Sequence, residues 1–246
     1  MNPVIEIKDL VVQYGKTKAL DGLSLRVNAG EIFGFIGPNG SGKTSTIKAL
    51  LGLLFPTRGS ISVNGLPPSD KNSRKSVGFL SEEATYYRFL TPDELLTFYG
   101  ELCGVHGKPL KERIERLLNL VGLISLRHRR LQTFSKGMMQ KVGLAQCLIH
   151  EPTLLILDEP TSGLDPLAKM DLRQILKNLK GEGKTIFFSS HELSEVELLT
   201  DAIAIIQSGK LVRAGSLAEV LGQDGKEINL ERFFLETIRG KKERPL

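Results

Sequence analysis

Cysteine is scarce in this chain of 246 residues, which has only two, Cys103 and Cys147. They lie far apart with no ligand-like spacing, which excludes a disulfide framework and a cysteine-based zinc site and fits a reducing compartment. Both are expected to be small apolar fillers. Long apolar runs are missing too: those at residues 153–157 and 202–206 are strand-sized, whereas a membrane helix needs about 20 apolar residues. Residues 1–8 lack the apolar core of a signal peptide, so the expected location is the cytoplasm. One-sided charge is lacking as well. A formal net charge of +5 arises from 33 basic residues interleaved with 28 acidic ones, which argues against nucleic acid as a partner. The densest basic cluster is Arg127, His128, Arg129 and Arg130. No aromatic residues interleave with it to stack on bases, so it is expected to be a solvated helix face or a domain-interface patch. A weak basic bias also suits a protein docked near an anionic membrane surface. The chain has neither an internal repeat nor a low-complexity segment.

What is present is a sequence of strand and helix patterns. Residues 4–12 and 19–27 alternate apolar and polar side chains around Gly15 and read as antiparallel strands. Residues 32–36 are a short apolar run ending in Gly37, a buried strand that delivers a glycine-rich loop. A helix is expected over 44–54, with Ile47, Leu50, Leu51 and Leu54 on one face. A short strand follows at 77–80. From Thr91 to His150 the character changes to long amphipathic patterns: a capped start at Thr91-Pro92-Asp93-Glu94, a helix at 111–120 and another at 136–149. A helical subdomain is therefore expected over about 84–150. Strands return at 154–157, 185–189 and 202–207, with helices at 166–180 and 192–199 between them. The expected fold is α/β, with a mostly parallel sheet, an antiparallel β subdomain and the inserted helices. The main domain is placed at 1–222, with a carboxyl-terminal tail at 223–246. In that tail, turn-forming residues at 222–226 precede a short amphipathic helix. Leu230, Phe233, Phe234 and Ile238 make its apolar face, and Glu231, Arg232, Glu236 and Arg239 the other. The apolar face either packs back on its own subunit or docks a partner. Gly240 is expected to end the helix, and residues 241–246 are expected to be disordered.

Gly37-Pro38-Asn39-Gly40-Ser41-Gly42-Lys43-Thr44 fits the GxxxxGKT pattern and lies between a buried strand and a helix. Its glycines let backbone N–H groups turn inward around phosphate oxygens, and the following helix presents its positive end. In such a P-loop NTPase core, Lys43 reaches the β- and γ-phosphates of ATP and Thr44 ligates Mg²⁺. A carboxylate is needed at the end of a neighbouring strand, and Leu154-Leu155-Ile156-Leu157-Asp158-Glu159 supplies it. Asp158 is expected to hold Mg²⁺ through water, and Glu159 to polarise the attacking water as general base.

Phe134-Ser135-Lys136-Gly137-Met138-Met139-Gln140 resembles the LSGGQ signature of ABC ATPases, with Phe134 for leucine, Lys136 for glycine and Met138 for glutamine. The resemblance covers nearly the whole chain. It implies that Ser135 and Gly137, at a helix start, bind the γ-phosphate of ATP held by an opposite subunit, with Lys136 beside them at the dimer interface. Tyr14 resembles the aromatic that stacks on adenine; as a lone residue it reads equally as core or edge packing. The nucleotide site implied is then Tyr14, the loop Gly37 to Thr44 with Ser45 after it, and the trans residues Ser135 and Gly137. Ser162-Gly163-Leu164-Asp165 resembles the D-loop, which places Asp165 at the dimer interface. His191, in Ser189-Ser190-His191-Glu192, resembles the switch histidine, which joins Lys43 and Glu159 in catalysis. One landmark departs: where the family has a glutamine after the 77–80 strand, this chain has Ser81-Glu82-Glu83. Glu82 takes that place as a metal ligand that adds a negative charge near the triphosphate.

The resemblance implies an ATPase dimer, formed with a second copy or a homologous subunit. It also implies a separate transmembrane permease that holds the dimer on the inner face of the membrane. The wording of residues 159–166 and 188–195 looks most like exporter ATPases of bacteria and archaea. The alternative is a soluble ABC ATPase with a non-transport role, which co-purification of a hydrophobic membrane protein would separate from the first. No Asn-Lys-x-Asp guanine-reading segment is present, which disfavours a GTPase.

Overall fold

The structure is a computed structural model and describes residues 3–83, 85–222 and 229–239. In chain order the elements are β1 (Ile5–Tyr14), β2 (Thr17–Val27), β3 (Ile32–Ile36), α1 (Lys43–Leu50), β4 (Arg58–Val63) and β5 (Val77–Leu80). Helices α2 (Pro92–Leu102), α3 (Gly107–Leu120) and α4 (Lys136–Cys147) come next, then β6 (Leu154–Leu157), α5 (Pro166–Gly181) and β7 (Thr185–Ser190). The chain continues through α6 (Leu193–Leu199), β8 (Ala202–Gln207), β9 (Lys210–Ser216), α7 (Leu217–Gly222) and α8 (Leu230–Arg239). It divides into two compact units, Met1–Arg74 with Phe187–Leu246, and Lys75–Ile186, so β7 begins in one and ends in the other.

In the first unit β2, β1 and β4 form an antiparallel sheet. Ile5 of β1 faces Val27 on one side and Val63 on the other, and all three are buried. The central strands follow the order β7-β3-β8-β9. Strand β3 runs parallel to β8, and every one of its residues is buried. A strand covered on both faces needs a continuous apolar run, which is why its sequence does not alternate. Phe187 stacks on Phe33 with ring centres 5.9 Å apart, and α6 packs so closely that a Cβ on Gly34 would stand 2.8 Å from the Thr200 methyl. Helix α1 ends at Leu50 rather than at the expected Leu54. Gly52 takes a left-handed φ of 68°, its N–H donates to the Ala49 carbonyl, and the Leu53 N–H donates to that of Lys48. This Schellman closure stops the helix although the apolar spacing runs on through Leu54. In α8, Leu230 is fully buried and its N–H donates to Glu197 Oε2 on α6 at 3.3 Å, while Leu235 on the expected polar side is exposed. The expected break at 223–226 and the expectations for Gly240 and residues 241–246 lie outside the described residues.

In the second unit β5 and β6 pair in parallel, and α2, α3 and α4 pack together. Thr91 and Glu94 form the expected capping box: the Thr91 hydroxyl accepts from the Glu94 N–H, and the Glu94 carboxylate accepts from the Thr91 N–H. Helix α3 starts at Gly107, four residues before the expected Lys111. Cys147 is fully buried and donates to the Phe79 carbonyl, and burial pushes its thiol pKa up. Cys103, expected as a filler, is exposed at the end of α2. The cluster Arg127 to Arg130 belongs to short 3-10 turns and their connection rather than to a helix face, and Arg127 is half-buried in an ion pair with Asp93.

Candidate functional site

In the first unit the apolar run of β3 delivers its chain end to Gly37, and the loop leads through Gly42 into α1. Gly42 has a φ of 112°, a conformation that favours glycine and turns the chain into the helix. No acidic residue lies in the first turn of α1, so its positive end is left for an anion. Lys43 is buried and its Nζ donates to the Gly37 carbonyl at 2.7 Å, so the ammonium folds back across the mouth of the loop. Pro38, Asn39, Gly40 and Thr44 are exposed, and Ser45 is half-buried. Ser41 Oγ is buried with no hydrogen-bond partner among the described residues. A buried hydroxyl without a partner costs free energy comparable to a lost hydrogen bond. A Cβ on Gly37 would collide with that hydroxyl and with the Ile206 carbonyl. Backbone N–H groups, an ammonium and an orphaned hydroxyl converging on one loop fit a polyphosphate.

Tyr14 ends β1 opposite Thr17 and is half exposed. The neighbouring strand β2 carries Ala19 and Leu20, which a Cβ on Gly42 would meet at 2.8 and 2.7 Å. Tyr14 thus lies on the hairpin that backs the loop. His191 is exposed immediately after the wholly buried β7, and the following turn is shaped by the Glu192 N–H donating to Ser190 Oγ at 2.9 Å.

In the second unit Leu80 pairs with Leu157, and the Asp158 N–H donates to the Leu80 carbonyl at 2.8 Å. Glu82 and Asp158 therefore leave the carboxyl ends of adjacent parallel strands. Asp158 and Glu159 are both buried, whereas Glu82 is exposed. Glu159 has a φ of +48°, a left-handed conformation that a side chain other than glycine, asparagine or aspartate rarely adopts. Nothing in the residue order marks it. Such strain persists where the surroundings impose it, commonly at functional positions.

Ser135 caps α4, its hydroxyl accepting from the Met138 N–H at 3.3 Å. Gly137 has a packing reason of its own, because a Cβ there would stand 2.9 Å from the Ala168 methyl on α5. Asp165 likewise caps α5 through the Ala168 N–H at 2.9 Å. Lys136 lies against Gly163, where an added Cβ would come within 2.6 Å of its Nζ. A cavity of about 480 Å³ gathers Glu82, Tyr86, Phe134, Lys136 and Gln140 on its walls. The packing role of Gly137 carries no signal in the sequence, since its partner lies on another helix, whereas Asp165 before Pro166 has the N-cap pattern of a helix start.

Among the described residues no group of three His, Cys, Asp or Glu converges as a metal cluster. Taken singly, Thr44 of the first unit carries a hydroxyl and Asp158 of the second a carboxylate, both oxygen donors of the type Mg²⁺ takes. Such donors suit an ion that keeps water and substrate phosphates in most of its coordination sphere. No described helix is long and apolar enough to cross a membrane.

The ABC transporter family model matches residues 20–162. The chain is 45% identical over 219 residues to an uncharacterised ABC transporter ATP-binding protein of Synechocystis, covering 88% of this chain and 62% of that relative. It is 41% identical over 215 residues to the bacitracin transport ATP-binding protein BcrA of Bacillus licheniformis, covering 86% of this chain and 69% of that protein. Among solved structures, the ATP-binding subunit of an ABC transporter superimposes with a TM-score of 0.86 at 33% identity, covering 96% of this chain and 99% of the other.

Proposed function

The chain belongs to the ABC transporter family, and from that premise we propose that it binds and hydrolyses ATP as the energy-coupling subunit of a transporter. The observation that carries the reading is the loop from Gly37 to Thr44. Its lysine is folded over its own carbonyls and its buried Ser41 hydroxyl has no hydrogen-bond partner among the described residues. Phosphate oxygens supply what both groups need: acceptors for the Lys43 ammonium, the Ser41 hydroxyl and the backbone N–H groups around them.

In this reading Lys43 holds the β- and γ-phosphates, and Tyr14 stacks on the base. Thr44 and Asp158 would hold Mg²⁺, with Glu82 beside them; the ion when bound neutralises phosphate charge. Glu159 accepts a proton from the attacking water as that water's oxygen bonds to the γ-phosphorus. The bond from the γ-phosphorus to the bridging oxygen breaks, releasing ADP and phosphate, and His191 orients the attacking water. Ser135, Lys136, Gly137 and Asp165 face a second copy or a homologous subunit, whose nucleotide they complete. Residues 84–150 act as the helical subdomain of a nucleotide-binding domain spanning 1–222, and 223–246 as an attached tail. The partner is a transmembrane permease at the inner face of the membrane, and the direction is export, by the wording of residues 159–166 and 188–195.

ATPase assays on the wild type, Lys43→Ala and Glu159→Gln test the reading. Lys43→Ala is expected to lose nucleotide binding or turnover. Glu159→Gln is expected to bind ATP but turn over roughly 10²–10⁴-fold more slowly, the usual contribution of a positioned general base. It should also elute as an ATP-bound dimer. Near-normal hydrolysis by either variant would overturn the assignment.

A further inference from the structure

The phosphate loop is held from behind by a segment more than 160 residues away in sequence. Between β8 and β9 the chain reverses at Ser208 and Gly209, both with left-handed φ values, 48° and 77°. The Gly209 N–H donates to the Ser41 carbonyl at 2.9 Å, and the Gly209 carbonyl accepts from the Asp21 N–H of β2 at 2.9 Å. One residue thus bridges the loop and the strand beneath it. The next residue adds an ion pair across the same joint, Lys210 Nζ to Asp21 at 3.2 Å. There is no room for a side chain at the bridge: a Cβ on Gly209 would stand 2.6 Å from the Ala19 carbonyl oxygen and 3.0 Å from Leu20 Cα. Both obstacles are backbone, so neither can rotate away. The same two residues of β2 press on Gly42, and Ile206 at the end of β8 presses on Gly37. Ser41 is fixed on its other side by its N–H, which donates to the Pro38 carbonyl at 3.1 Å.

We propose that the Ser208–Gly209 turn is a strut that holds the phosphate loop in its nucleotide-binding shape, with Gly209 as the positioning residue acting through the Ser41 carbonyl. The loop contains three glycines and exposes Pro38, Asn39 and Gly40, so it would sample other shapes if released. Fixing Ser41 from behind pre-organises the hydroxyl and N–H groups of the loop, so that binding does not first have to order them. The β8–β9 hairpin also leads directly into α7, which ties loop geometry to the carboxyl-terminal part of the chain. The inference rests on the reading of Gly37 to Thr44 as the phosphate site.

The test is the dissociation constant of a fluorescent ATP analogue for the wild type, Gly209→Ala and Gly30→Ala, with melting temperature measured alongside. Gly30 has nearly the same φ, 78°, but open space around its Cβ position, so its variant measures the backbone strain alone. In Gly209→Ala the turn must retreat from β2 and draw its N–H off Ser41. The loop then relaxes, and nucleotide has to restore it. Affinity is expected to fall at least about tenfold, the order that strain from overpacking produces, while Gly30→Ala binds like the wild type. Inserting one glycine after Ser208 withdraws the same N–H without adding bulk and serves if Gly209→Ala does not fold. Wild-type affinity in a folded Gly209→Ala protein or in the insertion variant overturns the strut and leaves the phosphate site standing. A wild-type protein that binds no adenine nucleotide overturns the site itself.

Discussion

Gly137 offers a way to separate packing from nucleotide chemistry at a single position. It is the second residue of α4, and an alanine there would bring two methyl groups to 2.9 Å, where ordinary contact begins near 3.4 Å. A methyl has no rotamer that relieves the overlap, so α4 and α5 must move apart by about half an ångström. Overpacking of this kind costs roughly 1–3 kcal/mol. The gain in helix propensity from glycine to alanine offsets about 1 kcal/mol of it. The net destabilisation is then about 0–2 kcal/mol, and at roughly 2–4 °C per kcal/mol for a chain of this size the melting point falls by up to about 8 °C. Ala168→Gly removes the opposing methyl. In that background Gly137→Ala is expected to leave the melting temperature unchanged or raise it, a coupling of about 1–3 kcal/mol between two touching residues. Hydrolysis is expected to behave differently. The double variant keeps its fold but stays slow, because the methyl still stands at the helix end assigned to the γ-phosphate of the opposite subunit. Differential scanning fluorimetry and phosphate release read the two properties separately. An equal loss of melting temperature in both backgrounds refutes the packing argument, and ATPase activity restored together with stability refutes the phosphate contact.

Two further outcomes follow from the second unit. Glu82→Gln should remain active with a flatter dependence on Mg²⁺ concentration, because it removes a negative charge from the assigned metal site; complete loss of turnover would show a role for the carboxylate beyond the metal. His150 is half-buried with Nε2 3.0 Å from the Val77 carbonyl. Burial holds its pKa below the ordinary value, and Arg113 and Lys184 push the same way, against the hydrogen bond. The unfolded chain therefore binds the proton first, and stability is lost as pH falls below about 6.5. Urea midpoints between pH 7.5 and 5.5, values chosen to bracket that range of roughly one unit either side, should decline in the wild type and decline less in His150→Gln; parallel slopes in the two proteins rule the histidine out.

How far the sequence could be read depended on whether the interaction was local. The run Ile32 to Ile36 and the loop behind it were legible because a buried parallel strand has to be apolar throughout and the glycine spacing is a local backbone requirement. The capping box at Thr91 and Glu94 was legible for the same reason, since its two hydrogen bonds close within four residues. Periodicity misled where a local signal of another kind overrode it: Leu51 and Leu54 continue the face of α1, yet the left-handed Gly52 ends the helix before them. It was silent where the partner is distant. Arg127 reads as one of four basic residues in a surface cluster until Asp93, 34 residues away, pairs with it. Gly137 reads as a glycine of the signature until Ala168 shows that α5 demands it as well. Glu159 gives no warning of its positive φ, and Gly209 reads as an ordinary turn residue until its N–H is found on Ser41. The two glycines among these silent positions share a property. Gly137 is constrained by a methyl and Gly209 by the backbone of an element distant in the chain, so their substitution acts on geometry rather than on chemistry. That makes them the places where motif matching alone would misjudge a variant: replacing Gly209 leaves every motif residue intact and is still expected to disable the loop that contains them.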